Sequence, residues 1–182
     1  MTRQTAALAL AALMTAALCA DRAVAANAPA ATDEEIAETI IAMEKAALDR
    51  WGNGDVDGFL EIIADDYTYF DPSLDQRLDG YDDIKKHYDR FRGQIATDRY
   101  ELIDPKVQSD GATAVLTFNL KSYAKGPDGS EQEKSHWHAT EVYRRIDGQW
   151  KLVSTHWSFP RSRLRQLVEA ARQAAAAGAG TE

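Results

Sequence analysis

The stretch Glu133-Lys134-Ser135-His136-Trp137-His138-Ala139-Thr140-Glu141-Val142-Tyr143-Arg144-Arg145-Ile146, then Asp147-Gly148, then Gln149-Trp150-Lys151-Leu152-Val153-Ser154-Thr155-His156-Trp157-Ser158-Phe159 decides the fold. Two runs rich in β-branched and aromatic residues flank an Asp-Gly pair, which is a hairpin signal. Upstream, Ala112–Ala124 and Arg99–Val107 have the same character. Gly126-Pro127-Asp128-Gly129 and Asp110-Gly111 supply their turns. Four consecutive antiparallel strands are therefore expected. Before them the period becomes helical. Thr32 and Glu35 form a capping box. Ile36, Ile40, Met43, Ala47 and Trp51 then recur on one helix face, with Gly52 as a stop. Asp55 suits the cap of a short second helix carrying Val56, Phe59, Leu60 and Ile63. Tyr67 to Asp71 is expected as a short strand ended by Pro72. Gly80 precedes a third helix with Ile84, Tyr88 and Phe91 on one face. Helices followed by strands give an α+β class with the helices segregated on one face of the sheet.

Composition narrows the partners. The chain has 182 residues and a net charge of −8, so a phosphate-binding basic face is not expected, and no nucleic-acid partner. Its one cysteine, Cys19, cannot form an intramolecular disulfide. Ala6 to Ala20 is apolar apart from Thr15, and Ala23-Val24-Ala25 is an A-x-A pattern. Residues 1–25 are expected to be an export signal cleaved near Ala25, leaving a periplasmic or secreted protein without membrane insertion. The expected organisation continues with a linker over 26–32, a domain over 33–160, and a C-terminal helix and frayed tail over 161–182.

Ala64 through Pro72, then Gly80 and Ile84 through Tyr88, resemble the cone-shaped nuclear transport factor 2 fold, and within it the SnoaL-like and ketosteroid-isomerase-like proteins. Arg144 to Trp150 with His156-Trp157-Ser158 is also similar to the association domain of the calmodulin-dependent kinase. The resemblance implies a curved antiparallel sheet with three N-terminal helices packed on its concave face. The space left uncovered would be an apolar pocket for a small ligand.

Asp71, before Pro72, matches the general base of ketosteroid isomerases. The same position suits an Asx turn bonding to nearby amides. Glu141 matches the protonated acid of that family's oxyanion hole, a donor of the kind general biochemistry attributes to ketosteroid isomerase. The outward alternative is a solvent-side Glu paired across strands. The family's first-helix tyrosine falls at Ala47, while Tyr88 matches the tyrosine that supports it. Steroid isomerisation is therefore not expected; the base, the acid and the cavity carry over. His87 matches a cavity-lining position and is a candidate partner for Asp71 in an acid–base pair.

The remaining sites depend on strand register. A two-residue turn at Asp147-Gly148 pairs Ile146 with Gln149. Strict alternation then puts His156 with Glu141 and Trp137, and Trp157 with His136 and His138. The resemblance places both Glu141 and Trp157 in the pocket, which requires a bulge or the loss of one assignment. The candidate catalytic residues are Asp71, His87, Glu141 and His156. The candidate ligand-binding residues are Tyr67, Tyr69, Tyr88, Phe118, Trp137, His138 and Trp157. His136-x-His138 has metal-ligand spacing but lacks a placed third ligand, so neither a metal nor a cofactor is expected. The expected function is binding of a small apolar or aromatic ligand, either by an acid–base isomerase, lyase or cyclase using Asp71, or by a non-catalytic binding or assembly module. Apolar residues on both faces of the last hairpin imply a homodimer packed through the outer sheet face.

Overall fold

The computed structural model describes residues 31–179; the expected leader and cleavage site lie outside the described residues. Helix α1 (Asp33–Gly52) begins at the expected capping box. Thr32 Oγ1 accepts from the Glu35 amide at 3.2 Å, and Glu35 Oε2 accepts from the Thr32 amide at 2.8 Å. Such a cap stabilises a helix by about 1 kcal/mol. A short helix α2 (Asp57–Leu60) follows, with Asp55 Oδ1 accepting from the Asp57 amide. Next come β1 (Ile63–Phe70), the two-residue strand β2 (Leu78–Asp79) and α3 (Tyr81–Tyr88), which tightens into a 3₁₀ turn at Asp89–Phe91. The four long strands are β3 (Arg99–Ser109), β4 (Thr113–Lys125), β5 (Glu131–Ile146) and β6 (Gln149–Ser158). Helix α4 (Arg161–Ala179) ends the described chain.

The strands form one curved, unclosed sheet in the order β2-β1-β6-β5-β4-β3. The β3–β4–β5–β6 meander is antiparallel, as expected from the turn signals. Two features differ from that expectation. Strand β1 starts at Ile63 rather than Tyr67, and it lies parallel to β6, with Thr68 beside Ser154. The sheet is therefore mixed. The helical connection between β1 and the meander allows this, because parallel neighbours need a long crossover.

The Asp147-Gly148 turn forms with φ of 50° and 81°, and Ile146 pairs with Gln149. Positive φ at both central residues gives a turn whose twist matches the strands it joins. Beyond the turn the register shifts. Tyr143 pairs with Leu152, but Val142 pairs with Ser154, so Val153 is an extra residue in β6. A second bulge sits at Asp104-Pro105, where Asp104 has φ of 49°. Bulges of this kind bend a strand and raise its twist, which curves the sheet. Helix α1 crosses the inner face at β3 and β4, and α3 packs on β1. Ile40, Tyr67, Ile84, Leu116, Tyr143 and Leu152 are fully buried between these layers. Each such side chain stabilises the fold by about 1.5–3 kcal/mol.

Candidate functional site

The core does not fill the concave face. Helices α1 and α3, the 3₁₀ turn and the curved sheet enclose a cavity of about 700 Å³. Its walls are largely aromatic. Trp51 meets Tyr88 edge-on at 5.0 Å, and Trp137 stacks on Phe159 at 4.4 Å. Trp137 also meets Trp157 edge-on at 6.2 Å.

The Val153 bulge determines which β6 residues face this space. It returns Thr155 and Trp157 to the same side as Glu141 and Tyr143, and all but Tyr143 line the cavity. The conflict between Glu141 and Trp157 is resolved by the bulge. The same shift sends His156 outward. His156 is exposed, its ring 5.6 Å from Phe70 on the outer face, and it does not join Asp71 or Glu141. His138, expected in the pocket, is also exposed on the outer face because it alternates with the inward Trp137 and Ala139. Phe118 is buried beneath the cavity wall, edge-on to Trp157 at 5.6 Å. Asp71, His87, Glu141, Tyr67, Tyr69, Tyr88, Trp137 and Trp157 all line the one cavity.

At the rim, β1 ends at Phe70, and Asp71 turns the chain. Its Oδ1 accepts from the Ser73 amide at 2.6 Å, the expected Asx turn, and from the Ser73 hydroxyl. Its Oδ2 lies 3.6 Å from His87 Nε2, with the two side chains 12% and 4% exposed. One carboxylate oxygen thus caps a turn while the other faces the histidine. Arg90 sits one turn after His87 and donates to His87 Nδ1 and to its carbonyl. A guanidinium can only donate, so Nδ1 accepts and the ring proton resides on Nε2, toward Asp71. Burial, together with the Arg90 charge, lowers the His87 pKa below its usual 6.5, and Asp71 opposes that shift. The imidazole is therefore a neutral donor near pH 7.

At the floor, Glu141 and Glu44 are completely buried. The Tyr143 hydroxyl lies 2.9 Å from Glu141 Oε2 and 3.1 Å from Glu44 Oε2. Thr155 Oγ1 donates to Glu141 Oε1 at 3.4 Å. Burial raises the pKa of both carboxyls, and the neighbouring Glu141 charge pushes Glu44 higher still. Burial also raises the Tyr67, Tyr69, Tyr88 and Tyr143 hydroxyls above 10.0, so all four are protonated donors. The Tyr67 hydroxyl is buried next to Thr155 and Tyr88 and, among the described residues, makes no hydrogen bond of ordinary geometry.

Sequence reasoning missed Glu44 and Arg90. Glu44 lies four residues after Ile40 and three before Ala47, on the buried stripe itself. A charged residue on an apolar face is the available signal; Met43, on the expected stripe, is only half-buried while Glu44 is fully buried. Among the described residues, no group of three or more His, Cys, Asp or Glu side chains is placed to hold a metal ion.

This architecture agrees with the comparisons to known proteins. The model of the SnoaL-like domain matches residues 40–162, and the chain belongs to that family. It shares its fold with the wider nuclear transport factor 2-like superfamily. A presumed ketosteroid isomerase from Parabacteroides distasonis is 39% identical with a TM-score of 0.60, the match covering 69% of this chain and 89% of that one. The association domain of CaMKII from C. elegans has a TM-score of 0.61 at 19% identity, covering 69% of this chain and 97% of that one. A nuclear transport factor 2-like protein of unknown function from Pseudomonas putida has a TM-score of 0.61 at 24% identity, covering 71% and 90%. The last two likenesses, below 25% identity, concern the fold alone. No curated protein matches the chain.

Proposed function

We propose that this protein is an acid–base enzyme of the isomerase, lyase or cyclase type that acts on a small, mostly apolar carbonyl compound. The observation that carries this reading is the placement of Asp71 and Glu141 in one aromatic cavity, with His87 Nε2 3.6 Å from Asp71. Asp71 Oδ2 takes a proton from carbon next to the carbonyl. The C–H electron pair moves to the oxygen, which accepts hydrogen bonds from the floor of the cavity. The protonated Asp71 then returns its proton to the same or another carbon. His87, neutral and donating through Nε2, orients the carboxylate or serves as an acid. Such a base contributes about 10²–10⁴-fold to rate.

Exchange of the α-protons of enolisable ketones in deuterium oxide, followed by proton NMR, tests this. The wild type accelerates exchange of at least one apolar ketone, and Asp71→Asn loses most of that acceleration. No acceleration on a broad ketone panel would overturn the enzyme reading. A second reading, a non-catalytic binding or assembly module, is favoured by Ala47, which leaves helix α1 without the hydroxyl of the isomerases. Native mass spectrometry of protein purified from its own host, showing a retained and unaltered small molecule, would favour it.

Two further parts of the proposal concern the whole chain. Export rests on the apolar run before Ala23-Val24-Ala25, and N-terminal sequencing of exported material should begin at Ala26. A homodimer through the outer sheet face rests on the Val115–Val142 pair, half-buried on the side away from the cavity. Trp157 and Phe159 line the cavity and add nothing to that outer face. Light scattering at micromolar concentration distinguishes dimer from monomer.

A further inference from the structure

Helix α4 carries an apolar face that no other described element covers. Every residue from Leu164 to Ala177 is exposed. Leu164, Leu167 and Val168 are 52%, 38% and 43% exposed, although large aliphatic side chains are ordinarily buried. At helical spacing these three share a stripe with Ala171 and Ala175. Arg161, Arg165 and Arg172 run along one flank of the stripe, and Arg163 lies on the other. Gln166, Glu169 and Gln173 occupy the opposite side. Four arginines and one glutamate give the helix a net charge of +3, on a chain whose net charge is −8. Glu169 accepts from Gln173 at 3.1 Å on the polar side, so it does not neutralise the arginine flanks.

This pattern selects the occupant. What covers the stripe must be apolar in its middle and negative at its sides. A second copy of α4 is a poor match, because packing stripe to stripe sets arginines against arginines. The body of another copy is acidic, but its exposed large hydrophobics among the described residues are Phe70 and Tyr81, too few to seat the stripe. An anionic bilayer meets both demands, with acyl chains lying beneath phosphate headgroups. Arginines that border an apolar stripe rest their stems on the lipid and reach the phosphates with their guanidinium groups. No described helix is long and apolar enough to cross a membrane, so α4 would lie on the surface. Alanines make up much of its second half and bury little apolar area, so charge must carry much of the attraction.

We propose that α4 is a docking helix that lies in the surface of an anionic bilayer, with Leu164, Leu167 and Val168 among the acyl chains and the arginines among the phosphates. This goes beyond the catalytic reading and does not depend on it. The root of the helix is tied to the wall of the cavity. Phe159, just before the helix, and Lys134 both line the cavity, and Arg163 donates to the Lys134 carbonyl at 3.3 Å. Docking therefore keeps the aromatic cavity close to lipid, the medium in which an apolar ligand concentrates.

Hydrogen–deuterium exchange of the full chain, read by mass spectrometry on peptides of α4, tests this. The readout is confined to the helix, so binding by any other segment does not enter. The probes are vesicles of equal parts phosphatidylglycerol and phosphatidylcholine, and vesicles of phosphatidylcholine alone. Exchange of α4 amides should slow on the mixed vesicles and stay fast on phosphatidylcholine. It should recover in about 0.5 M salt, where surface charge is screened within a few ångströms. Replacing Arg161, Arg165 and Arg172 together by Gln should raise the lipid concentration for half-protection about 100-fold. Leu167→Gln with Val168→Gln should also weaken protection, and neither variant should lower the melting temperature, since these side chains are exposed. Unchanged exchange on the mixed vesicles overturns the proposal, as does equal protection on phosphatidylcholine alone. Protection of α4 that rises with protein concentration without lipid also overturns it, and assigns the stripe to a second copy of the chain.

Discussion

The two ends of the cavity hold acids in opposite ways. At the rim, Asp71 keeps one oxygen on Ser73 and turns the other toward His87 across 3.6 Å, wider than a hydrogen bond. At the floor, Glu44 and Glu141 have no exposure and are held by Tyr143 within 3.1 Å. The rim keeps a slight opening to water, with the Asp71 and His87 side chains 12% and 4% exposed. The floor is sealed and without a cation, so a carboxyl there holds its proton and donates. In the proposed chemistry these surroundings would make the rim carboxyl the base and the floor carboxyl the acid.

The largest expected effect breaks the rim. Asp71→Asn keeps the size and the turn but removes proton acceptance, so any turnover should fall about 10²–10⁴-fold with little change in melting. Steady-state kinetics beside thermal unfolding checks this. At the floor the balance reverses. Tyr143→Phe removes the donor facing both carboxyls and should cost about 1–3 kcal/mol of stability, read by urea unfolding.

The pH dependence of stability separates the two ends further. Glu44 has a pKa raised above 4.5 in the folded protein, by burial and by Glu141. Its contribution is fully present below the unfolded value and is lost as pH rises through the folded one. His87 has a folded pKa lowered from 6.5. Its contribution is present above 6.5 and is lost as pH falls through the lowered value. Between pH 4.5 and 6.5 the two slopes oppose each other, so in unfolding free energies measured across pH Glu44→Gln should make stability rise more with pH and His87→Gln should make it fall more, each by at most about 1.4 kcal/mol per pH unit.

Smaller still is the structural role of Asp71. Asp71→Ala removes the Asx turn and should cost about 1 kcal/mol in unfolding experiments. His156→Ala, on the outer face, should change stability by less than about 0.5 kcal/mol and leave turnover intact. A large loss of activity there would break the inside–outside assignment made by the bulge.

The parts of this arrangement that were legible in the sequence are those set by local chemistry. The Thr32–Glu35 box, the Asp147-Gly148 turn and the alternation of β4 each follow from residues a few positions apart. Asp71, His87 and Glu141 came from the resemblance, and the structure places all three in one cavity. What the sequence hid is non-local. A single extra residue, Val153, exchanged the faces of His156 and Trp157, because a strand's side chains alternate with period two. Whether such a residue bulges depends on its partners in β5, not on its own neighbours. The parallel seating of β1 beside β6 is likewise set by the crossover through α3. Glu44 was hidden for a different reason: a charged residue on an apolar stripe is ordinarily read as the edge of that stripe, unless a second buried acid and a tyrosine are known to face it.

The central claim is that rim and floor serve a single ligand. Carbon-13 NMR of the side-chain carboxyl carbons, assigned with Asp71→Asn and Glu141→Gln, tests it during titration with an apolar ketone. The Asp71 and Glu141 signals should move together along one binding curve with one dissociation constant. Movement of only one of them, or of neither while the ketone binds, would contradict it.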